Sequence, residues 1–472
     1  MSFARILRSS AIMGGAQVVV LAAALIRAKA IALILGASGV GLIGIFNAFS
    51  GNVSSFAGWG LGTSGVRLIA GSPEDDKPAK VAAVRRMGWT LSLLGLALGL
   101  ILFWPVGSVT FASTQYAVEM AIVALAVPCV IASSAWSAVL QASGKIAALA
   151  KVQVAGALTG LLLGLPAIWL WGTIGIAASI FLAAAIPAFV LWRAARTESP
   201  AGSVASVEDA DIRQLVSLGG ALMVVAWLGQ LSAYAVRLAI VRQEGLEAAG
   251  YYQAAFAITG SLPGLVFAAM GADFFPRVAS AKDEKEAIGF TQIQIQAGLL
   301  LGVPLIALLL LFGEVSVRIL YARGLDPAAS LLPWMAWAVF LRVVSWPLGF
   351  WLIARGKPSL VVGLEAASNF VLIAVSLILT QVIGVAGAAI ATLIAGILYF
   401  SALVVIAYRK AGGISYRRTW ISILLAVLFL GMAQLLAWTH SHVAWRGIFV
   451  ALLACSSAWI YFRATHPRPD VT

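Results

Sequence analysis

The stretch AALIRAKAIALILG, residues 23–36, places two cations inside a segment that is otherwise apolar. Soluble protein cores rarely hold unpaired cations, so the nature of the surrounding chain has to explain them. The chain has 472 residues, of which 62% are hydrophobic and 10% are charged, and its mean hydropathy is +1.00. Ordinary soluble domains are about 25% charged. The composition therefore predicts an all-α polytopic membrane protein.

Apolar runs long enough to cross a bilayer as a helix recur along the chain. They predict about 14 transmembrane helices, which we number as spans one to fourteen. The spans lie near residues 9–35, 41–68, 84–105, 117–141, 148–171, 174–193, 214–241, 249–275, 290–313, 331–354, 359–381, 384–408, 419–438 and 445–463.

The net charge of +13 is concentrated in alternate loops. Lys and Arg cluster before span one, before span three and in every second loop thereafter, and few lie in the opposite loops. Because positive loops stay on the cytoplasmic side, both termini are predicted to be cytoplasmic, and nucleic acid is not an expected partner. Cys129 and Cys455 lie in apolar spans, and the three histidines form no convincing metal site. No disulfide, metal or cofactor is predicted.

The chain repeats itself after about 210 residues. LQASGK (140–145) precedes span five as LIARGK (352–357) precedes span eleven, and the alignment continues to matching glycines after each of those spans. Near the start of each half, LIRAKAI (25–31) aligns with AVRLAIV (235–241). Each unit holds six spans, so both begin on the same side of the membrane. This pattern predicts two parallel six-helix repeats, an arrangement typical of transporters that work around a central cavity.

The repeat and the polar segment RTESPAGSVASVEDADIR define four predicted regions. An N-terminal six-helix bundle covers residues 1–200, and a cytoplasmic linker covers 201–213. A C-terminal six-helix bundle covers 214–410, and two extra transmembrane helices with a short tail cover 411–472. The polar segment fits a flexible hinge between halves, and it fits a simple loop equally well.

Four stretches stand out by their order and spacing: RAKAIALILGASGVGLIG (27–44), AAMGADFFPRVAS (268–280), VRILYARGLDPAASLLPW (317–334) and WPLGFWLIARGK (346–357). They resemble bacterial oligosaccharide-lipid flippases of the O-antigen translocase type. These proteins belong to the superfamily that also holds multidrug exporters and lipid II flippases. Together the resemblance covers about residues 1 to 410. Many proteins of this type have 12 spans, so the last two spans here are a departure.

The resemblance implies a non-enzymatic flippase in the bacterial inner membrane. Its cargo is expected to be a polyprenyl-diphosphate oligosaccharide for O-antigen, lipopolysaccharide or exopolysaccharide assembly, moved by alternating access between two bundles around a central cavity. Membrane lipids, a polysaccharide polymerase and a counter-ion, H⁺ or Na⁺, are the other expected partners.

Four cations inside predicted spans are the candidate substrate-binding residues: Arg27, Lys29, Arg237 and Arg342. An ionisable side chain at membrane depth is costly unless it faces water or a partner, and an arginine fork suits a diphosphate. Arg27 and Lys29 are two residues apart, so they point to different sides of a helix. We favour Arg27, because the repeat pairs it with Arg237. We expect Arg27 and Arg342 to face one central cavity and to hold the diphosphate of the cargo. Snorkelling to the interface is the alternative, and it applies most directly to Arg237, which is nearer the periplasmic end of span seven.

Acidic residues at membrane depth are few. Glu365 lies in span eleven with Asn369 one turn later on the same face, and the repeat places Gln153 opposite Glu365. Glu365 is a candidate for a coupling proton or for a pair with an arginine, and a structural hydrogen bond is the alternative. Asp273 is a candidate gate residue or a local cap. Glu119 is expected to be solvated near the periplasmic end of span four.

Other classes of membrane protein fit the sequence less well. A glycan polymerase or ligase usually has a large periplasmic loop with catalytic acids or arginines, and here those loops are short and no catalytic cluster is visible. A multidrug exporter favours acids in its cavity, whereas this chain places arginines in its spans. A lipid II flippase is the nearest rival. No GxxxxGK[ST] loop is present, so ATP is not the direct energy source.

Overall fold

A computed structural model describes residues 3–196, 209–410 and 417–439, and within these ranges the regular structure is helical, with no strand. The helices are α1 (Phe3–Ala57), α2 (Leu61–Ala70), α3 (Lys77–Phe111), α4 (Ala117–Ala142), α5 (Ile146–Leu162), α6 (Gly164–Trp171), α7 (Thr173–Arg196), α8 (Asp209–Ala279), α9 (Glu284–Leu311), α10 (Gly313–Leu320), α11 (Leu332–Ala354), α12 (Pro358–Ile383), α13 (Ala386–Lys410) and α14 (Arg417–Trp438). A 3₁₀ segment, Arg323–Ser330, precedes α11.

Ten helices in the described part of the chain are long and apolar enough to cross a membrane. The all-helical membrane class is therefore confirmed, while the count of 14 spans stays a prediction. Predicted span fourteen, 445–463, lies outside the described residues. Span two, predicted over 41–68, is divided, because α1 ends at Ala57 and α2 begins at Leu61. The backbone of Trp59 and Gly60 between them has positive φ angles of 49° and 61°, which end the helix.

The two longest helices, α1 with 55 residues and α8 with 71, each bend at a glycine. Gly36 has φ 66° and ψ −162°, and Gly245 has φ 87° and ψ 178°. A span needs about 20 residues, so each helix is long enough for two. Gly36 and Gly245 lie 209 residues apart, close to the predicted repeat distance.

Two further pairs of glycines with positive φ show the same spacing. Gly144 and Gly356 have φ angles of 71° and 73°, and Gly172 and Gly384 have φ angles of 56° and 66°. Each pair is separated by 212 residues. Only glycine adopts this left-handed backbone without strain, so both copies of each turn need it. The matched backbone turns agree with the sequence pattern from which the repeat was predicted.

The first compact unit contains the described parts of Met1–Gly250 together with Leu320–Gly324. Within it, α4 packs against α3 and α7, and α1 packs against α5. Phe46, Phe49, Met120 and Trp136 are among its fully buried side chains. The unit includes residues 209–250 at the start of α8, and α8 begins inside the range predicted as linker. The predicted bundle boundaries 1–200 and 214–410 stay a prediction.

Within the first unit, the segments after the two bends approach each other at a pair of glycines. A Cβ atom on Gly41 would overlap the carbonyl oxygen of Leu246, and a Cβ atom on Gly250 would overlap that of Ala37. The repeat also aligns GVGLIGIFNAFSG (39–51) with AAGYYQAAFAITG (248–260), which pairs Gly41 with Gly250. Only the absence of a side chain allows this contact between backbones.

The second compact unit contains Tyr251–Ile319 and the described residues from Leu325 onward. In this unit α11 packs against α9 and α13, α12 packs against α13, and α14 packs against α9. Trp351 on α11 is fully buried. Large apolar side chains such as Phe370, Ile378 and Leu424 are exposed, as expected for helices whose outer faces meet lipid.

Candidate functional site

A cavity of about 360 Å³ lies inside the first unit, among α1, α4, α5 and α7. The side chains that α1 contributes recur every three or four residues, so they share one face of the helix. They are Gln17, Val20, Ala23, Ala24 and Arg27. Lys29 is half-buried and does not line this cavity. The structure thus separates the two cations of the opening stretch.

Arg27 brings the one charged side chain among the residues that line this cavity. Its guanidinium passes close to Gly160, where a Cβ atom would stand 3.3 Å from Nη1. Within the described residues Arg27 has no hydrogen-bond or ion-pair partner. Ser133, Ser137 and Gln153 add neutral polar groups to the lining. The cavity therefore presents an uncompensated positive charge, which is costly at membrane depth unless an anion or water meets it.

Two amide side chains are joined at the same cavity. Gln17 Nε2 on α1 donates a hydrogen bond of 3.0 Å to Gln153 Oε1 on α5. Both residues line the cavity that contains Arg27. This bond cross-links the two helices and fixes two neutral polar groups in the lining of the cavity without supplying a counter-charge.

A second cluster lies in the other unit, on α11, α12 and α13. Arg342 Nη1 donates a hydrogen bond of 2.8 Å to Glu365 Oε1. The guanidinium carbon of Arg342 lies 5.3 Å from the centroid of the Tyr399 ring, within the range of a cation–π contact. The side chains of Arg342 and Glu365 are 48% and 22% exposed. The charge of this arginine is thus compensated, while its guanidinium stays accessible.

Asn369 belongs to the same cluster through the backbone of α12. Its Nδ2 donates a hydrogen bond of 2.9 Å to the carbonyl oxygen of Glu365, one turn earlier. The amide therefore lies on the helix face that carries Glu365, as the four-residue spacing predicts.

Arg237 is 5% exposed in the first unit. Its Nη1 donates a hydrogen bond of 2.7 Å to the carbonyl oxygen of Ala233, four residues earlier on α8. The side chain thus reaches back along its own helix toward the N-terminal end. In the predicted topology that direction leads away from the periplasmic interface, which disfavours snorkelling to that interface.

Two acids complete the predicted set. Asp273 lies in α8, but its side chain lies outside the described residues. Glu119 was expected to be solvated, and this expectation is wrong: it is 5% exposed. Its Oε1 accepts a hydrogen bond of 2.6 Å from Thr173 Oγ1. Thr173 is the first residue of α7, so the tight packing of α4 against α7 buries this carboxylate.

The structure joins Arg342, Glu365 and Asn369 in the second unit and places Arg27 in a cavity lined wholly by the first unit. Tyr399 and Gln17 were missed by sequence reasoning. Neither carries a signal of its own, because an aromatic or amide residue in an apolar helix usually packs or lies at an interface. The common cavity for Arg27 and Arg342 stays a prediction.

Residues 6–282, more than half of the chain, match the family described as polysaccharide biosynthesis protein. The chain belongs to this family. A comparison with curated proteins finds no match.

Solved structures of transporters share the fold of this family member. A lipid II flippase, MurJ, in an inward closed conformation matches with a TM-score of 0.74 and 13% identity, over 97% of this chain and 99% of that chain. A multidrug resistance MATE family transporter of the MOP superfamily, in an inward-facing conformation, matches with a TM-score of 0.65 and 12% identity, over 92% and 96%.

A third match is a MOP superfamily transporter from Pyrococcus furiosus, described as having a binding pocket of reverse polarity. Its TM-score is 0.58 at 13% identity, over 91% of this chain and 96% of that chain. The family and the fold confirm the resemblance that the sequence motifs carry. At these identities the structural likeness is one of fold.

Proposed function

We propose that this family member is a flippase for a polyprenyl-diphosphate-linked oligosaccharide. It carries this lipid from the cytoplasmic to the periplasmic leaflet of a bacterial inner membrane by alternating access, for O-antigen, lipopolysaccharide or exopolysaccharide assembly. The observation that carries the proposal is the uncompensated Arg27 in a cavity of about 360 Å³ inside the first unit.

The chemistry of that cavity suits an anionic headgroup. A guanidinium presents planar N–H donors that match phosphate oxygens, and a lipid diphosphate brings the negative charge that the lining of this cavity lacks. Ser133, Ser137 and the glutamines supply neutral hydrogen-bonding groups elsewhere in the lining of the same cavity. In this proposal Arg27, Arg342 and, in supporting roles, Arg237 and Lys29 meet the cargo during the cycle.

A layout of two parallel six-helix repeats with two additional helices supports alternating access. Three pairs of glycines with positive φ angles, separated by about the repeat distance, support this layout. Both termini are cytoplasmic in the proposal, on the basis of the loop charges. An H⁺ or Na⁺ counter-ion acts at the Glu365 cluster or at Asp273, and a polysaccharide polymerase receives the product.

The rival functions make different demands on charge. A multidrug exporter that captures cations needs an acid free to meet them, whereas the Glu365 carboxylate is bonded to Arg342. A lipid II flippase moves a cargo with the same diphosphate chemistry, so Arg27 serves both functions equally. The family description favours an oligosaccharide cargo of polysaccharide assembly, and a transporter family and fold favour transport over polymerase or ligase chemistry.

The test is transport by the purified full-length protein in liposomes that contain a fluorescent polyprenyl-diphosphate oligosaccharide. We expect Arg27→Ala to lower cargo affinity by roughly ten- to a hundredfold, because one charge-assisted bond contributes about 1.5–3 kcal/mol. Arg27→Lys should restore part of the loss, because lysine keeps the charge but lacks the planar fork.

Arg86→Ala is the matched control, because Arg86 is an exposed arginine on α3 of the same unit. It should transport like the wild type. Full transport by a well-folded Arg27→Ala protein would refute the role of Arg27. Transport of a lipid II analogue in preference to the oligosaccharide cargo would favour the rival flippase.

A further inference from the structure

The two described arginine sites differ in their counter-charges. Arg27 has no ion-pair partner among the described residues, and the repeat places the neutral Gln153 where the second unit has Glu365. Arg342, in contrast, is bonded to Glu365 at 2.8 Å. The acid therefore belongs to one half only, and its role needs an explanation specific to Arg342.

We propose that Glu365 determines lipid specificity. With Glu365 in place, Arg342 binds a lipid diphosphate but not the phosphodiester headgroups of ordinary membrane lipids. This inference rests on the proposed function and deepens it. Glu365 acts through Arg342, so it is a positioning residue and a selectivity residue.

The geometry leaves Arg342 able to bind a second acceptor. The bond to Glu365 uses Nη1, and a guanidinium has five N–H donors in a planar fork. Its side chain is 48% exposed, so an incoming headgroup can reach the unused donors. The Tyr399 ring lies 5.3 Å away and orients the guanidinium by a cation–π contact. The arginine is thus held in place before cargo arrives.

Because of the Glu365 carboxylate, a second anion binds Arg342 only if its attraction to the arginine exceeds its repulsion from the carboxylate. An anion at Arg342 meets repulsion from Glu365, which is 2.8 Å from the guanidinium. A phosphodiester has one negative charge and two free oxygens, so it gains little more than the carboxylate already provides. The diphosphate of the cargo is esterified at both ends, by the polyprenyl chain and by the sugar, so it carries two negative charges. It also has more free oxygens than a phosphodiester, so it can occupy the unused donors and overcome this repulsion. Specificity for the diphosphate then arises because the Glu365 carboxylate competes with every incoming anion for the Arg342 guanidinium.

This competition matters because a flippase is surrounded by phospholipids in large excess over its cargo. A single unpaired arginine attracts any lipid phosphate. A second arginine with its own counter-ion responds to the feature that the bulk lipids lack, which is the second phosphate.

The experiment measures selectivity in liposomes with the full-length protein. A fluorescent polyprenyl-diphosphate oligosaccharide is the cargo, and phosphatidylglycerol, a phosphodiester lipid, is the competitor. We expect the Glu365→Gln protein to bind the diphosphate cargo at least as well as the wild type. Phosphatidylglycerol should inhibit cargo binding to this variant at a concentration roughly ten- to a hundredfold lower than for the wild type, because a charge-assisted contact with Arg342 becomes available to it. Glu314→Gln is the matched control, because it removes one negative charge from an exposed site in the same unit, and its selectivity should equal that of the wild type.

Two further variants keep the test decisive. Glu365→Asp keeps the charge on a shorter side chain and should lose part of the selectivity, so it replaces Glu365→Gln if that variant does not fold. Arg342→Ala combined with Glu365→Gln should lose the enhanced inhibition, because the arginine that attracts the phosphodiester is gone.

An unchanged ratio of diphosphate to phosphatidylglycerol affinity in folded Glu365→Gln or Glu365→Asp would overturn the inference. A wild-type protein that transports no diphosphate lipid would instead refute the proposed function. The first result concerns only the affinity ratio in the variants, and the second concerns transport by the wild type, so the two failures are distinguishable.

Discussion

A buried ion pair beside the polar linker allows a quantitative prediction. Lys80 on α3 bonds to Asp211, in the first turn of α8, with an Nζ–Oδ1 distance of 2.6 Å. The side chains are 17% and 4% exposed, and Asp211 Oδ2 is buried without a hydrogen-bond partner in the described structure. The carboxylate therefore depends on this lysine for compensation.

Replacing Lys80 with methionine keeps most of the side-chain volume but leaves the buried carboxylate uncompensated. Removing one partner of a buried pair typically costs about 3–5 kcal/mol. Replacing both residues, as Lys80→Met with Asp211→Leu, should be nearly neutral, because a buried pair often stabilises no more than apolar residues of similar size. The double variant should thus be more stable than Lys80→Met alone.

The assay compares unfolding of the purified proteins in one detergent, as a complete double-mutant cycle that includes Asp211→Leu. Lys77→Met is the control, because Lys77 pairs at 2.5 Å with Glu74, whose side chain is 85% exposed. This exposed pair should contribute less than about 1 kcal/mol. If Lys80→Met were no more destabilising than Lys77→Met, or if the single effects simply added in the double variant, the reasoning would be refuted.

Three other predictions follow from single features. Gly250→Ala should lower the yield of folded protein, because a Cβ atom would overlap the Ala37 carbonyl and overpacking costs about 1–3 kcal/mol. Gly229→Ala is the control and should be tolerated, because a Cβ atom there meets nothing within 4 Å. Equal yields of the two variants would contradict the close contact at Gly250. Burial raises the pKa of Tyr321 to about 12, above the value near 10 of an unfolded tyrosine, so the unfolded state releases its proton first. The stability that this tyrosine contributes should be complete below pH 10 and lost as the pH rises through about 12; Tyr321→Phe should remove that part of the alkaline destabilisation in unfolding experiments, and an unchanged pH profile would count against it. A reporter fused after Thr472 should be active in the cytoplasm, and activity only in the periplasm would reverse the topology.

The sequence by itself determined the class of the fold and the positions of the glycine turns that recur in its two halves. A chain this apolar must satisfy its backbone groups internally in lipid, and helices do so within each segment. The alignment of the two halves placed Gly41 beside Gly250 in register, and the structure brings the backbones at these two glycines into contact. Local rules suffice for the turns at Gly144, Gly172, Gly356 and Gly384, because each of these glycines has a positive φ angle.

Only the tertiary structure decided which polar groups meet. The sequence left three roles for Glu365: pairing with an arginine, carrying a proton or making a structural hydrogen bond. The packing of α11 against α12 brings it into an ion pair with Arg342. Glu119 was expected to be solvated, yet the packing of α4 against α7 buried it. In a soluble helix the polar face marks the outside. In a membrane helix nearly every face is apolar, so periodicity does not reveal which side of the helix meets lipid, a cavity or a neighbouring helix.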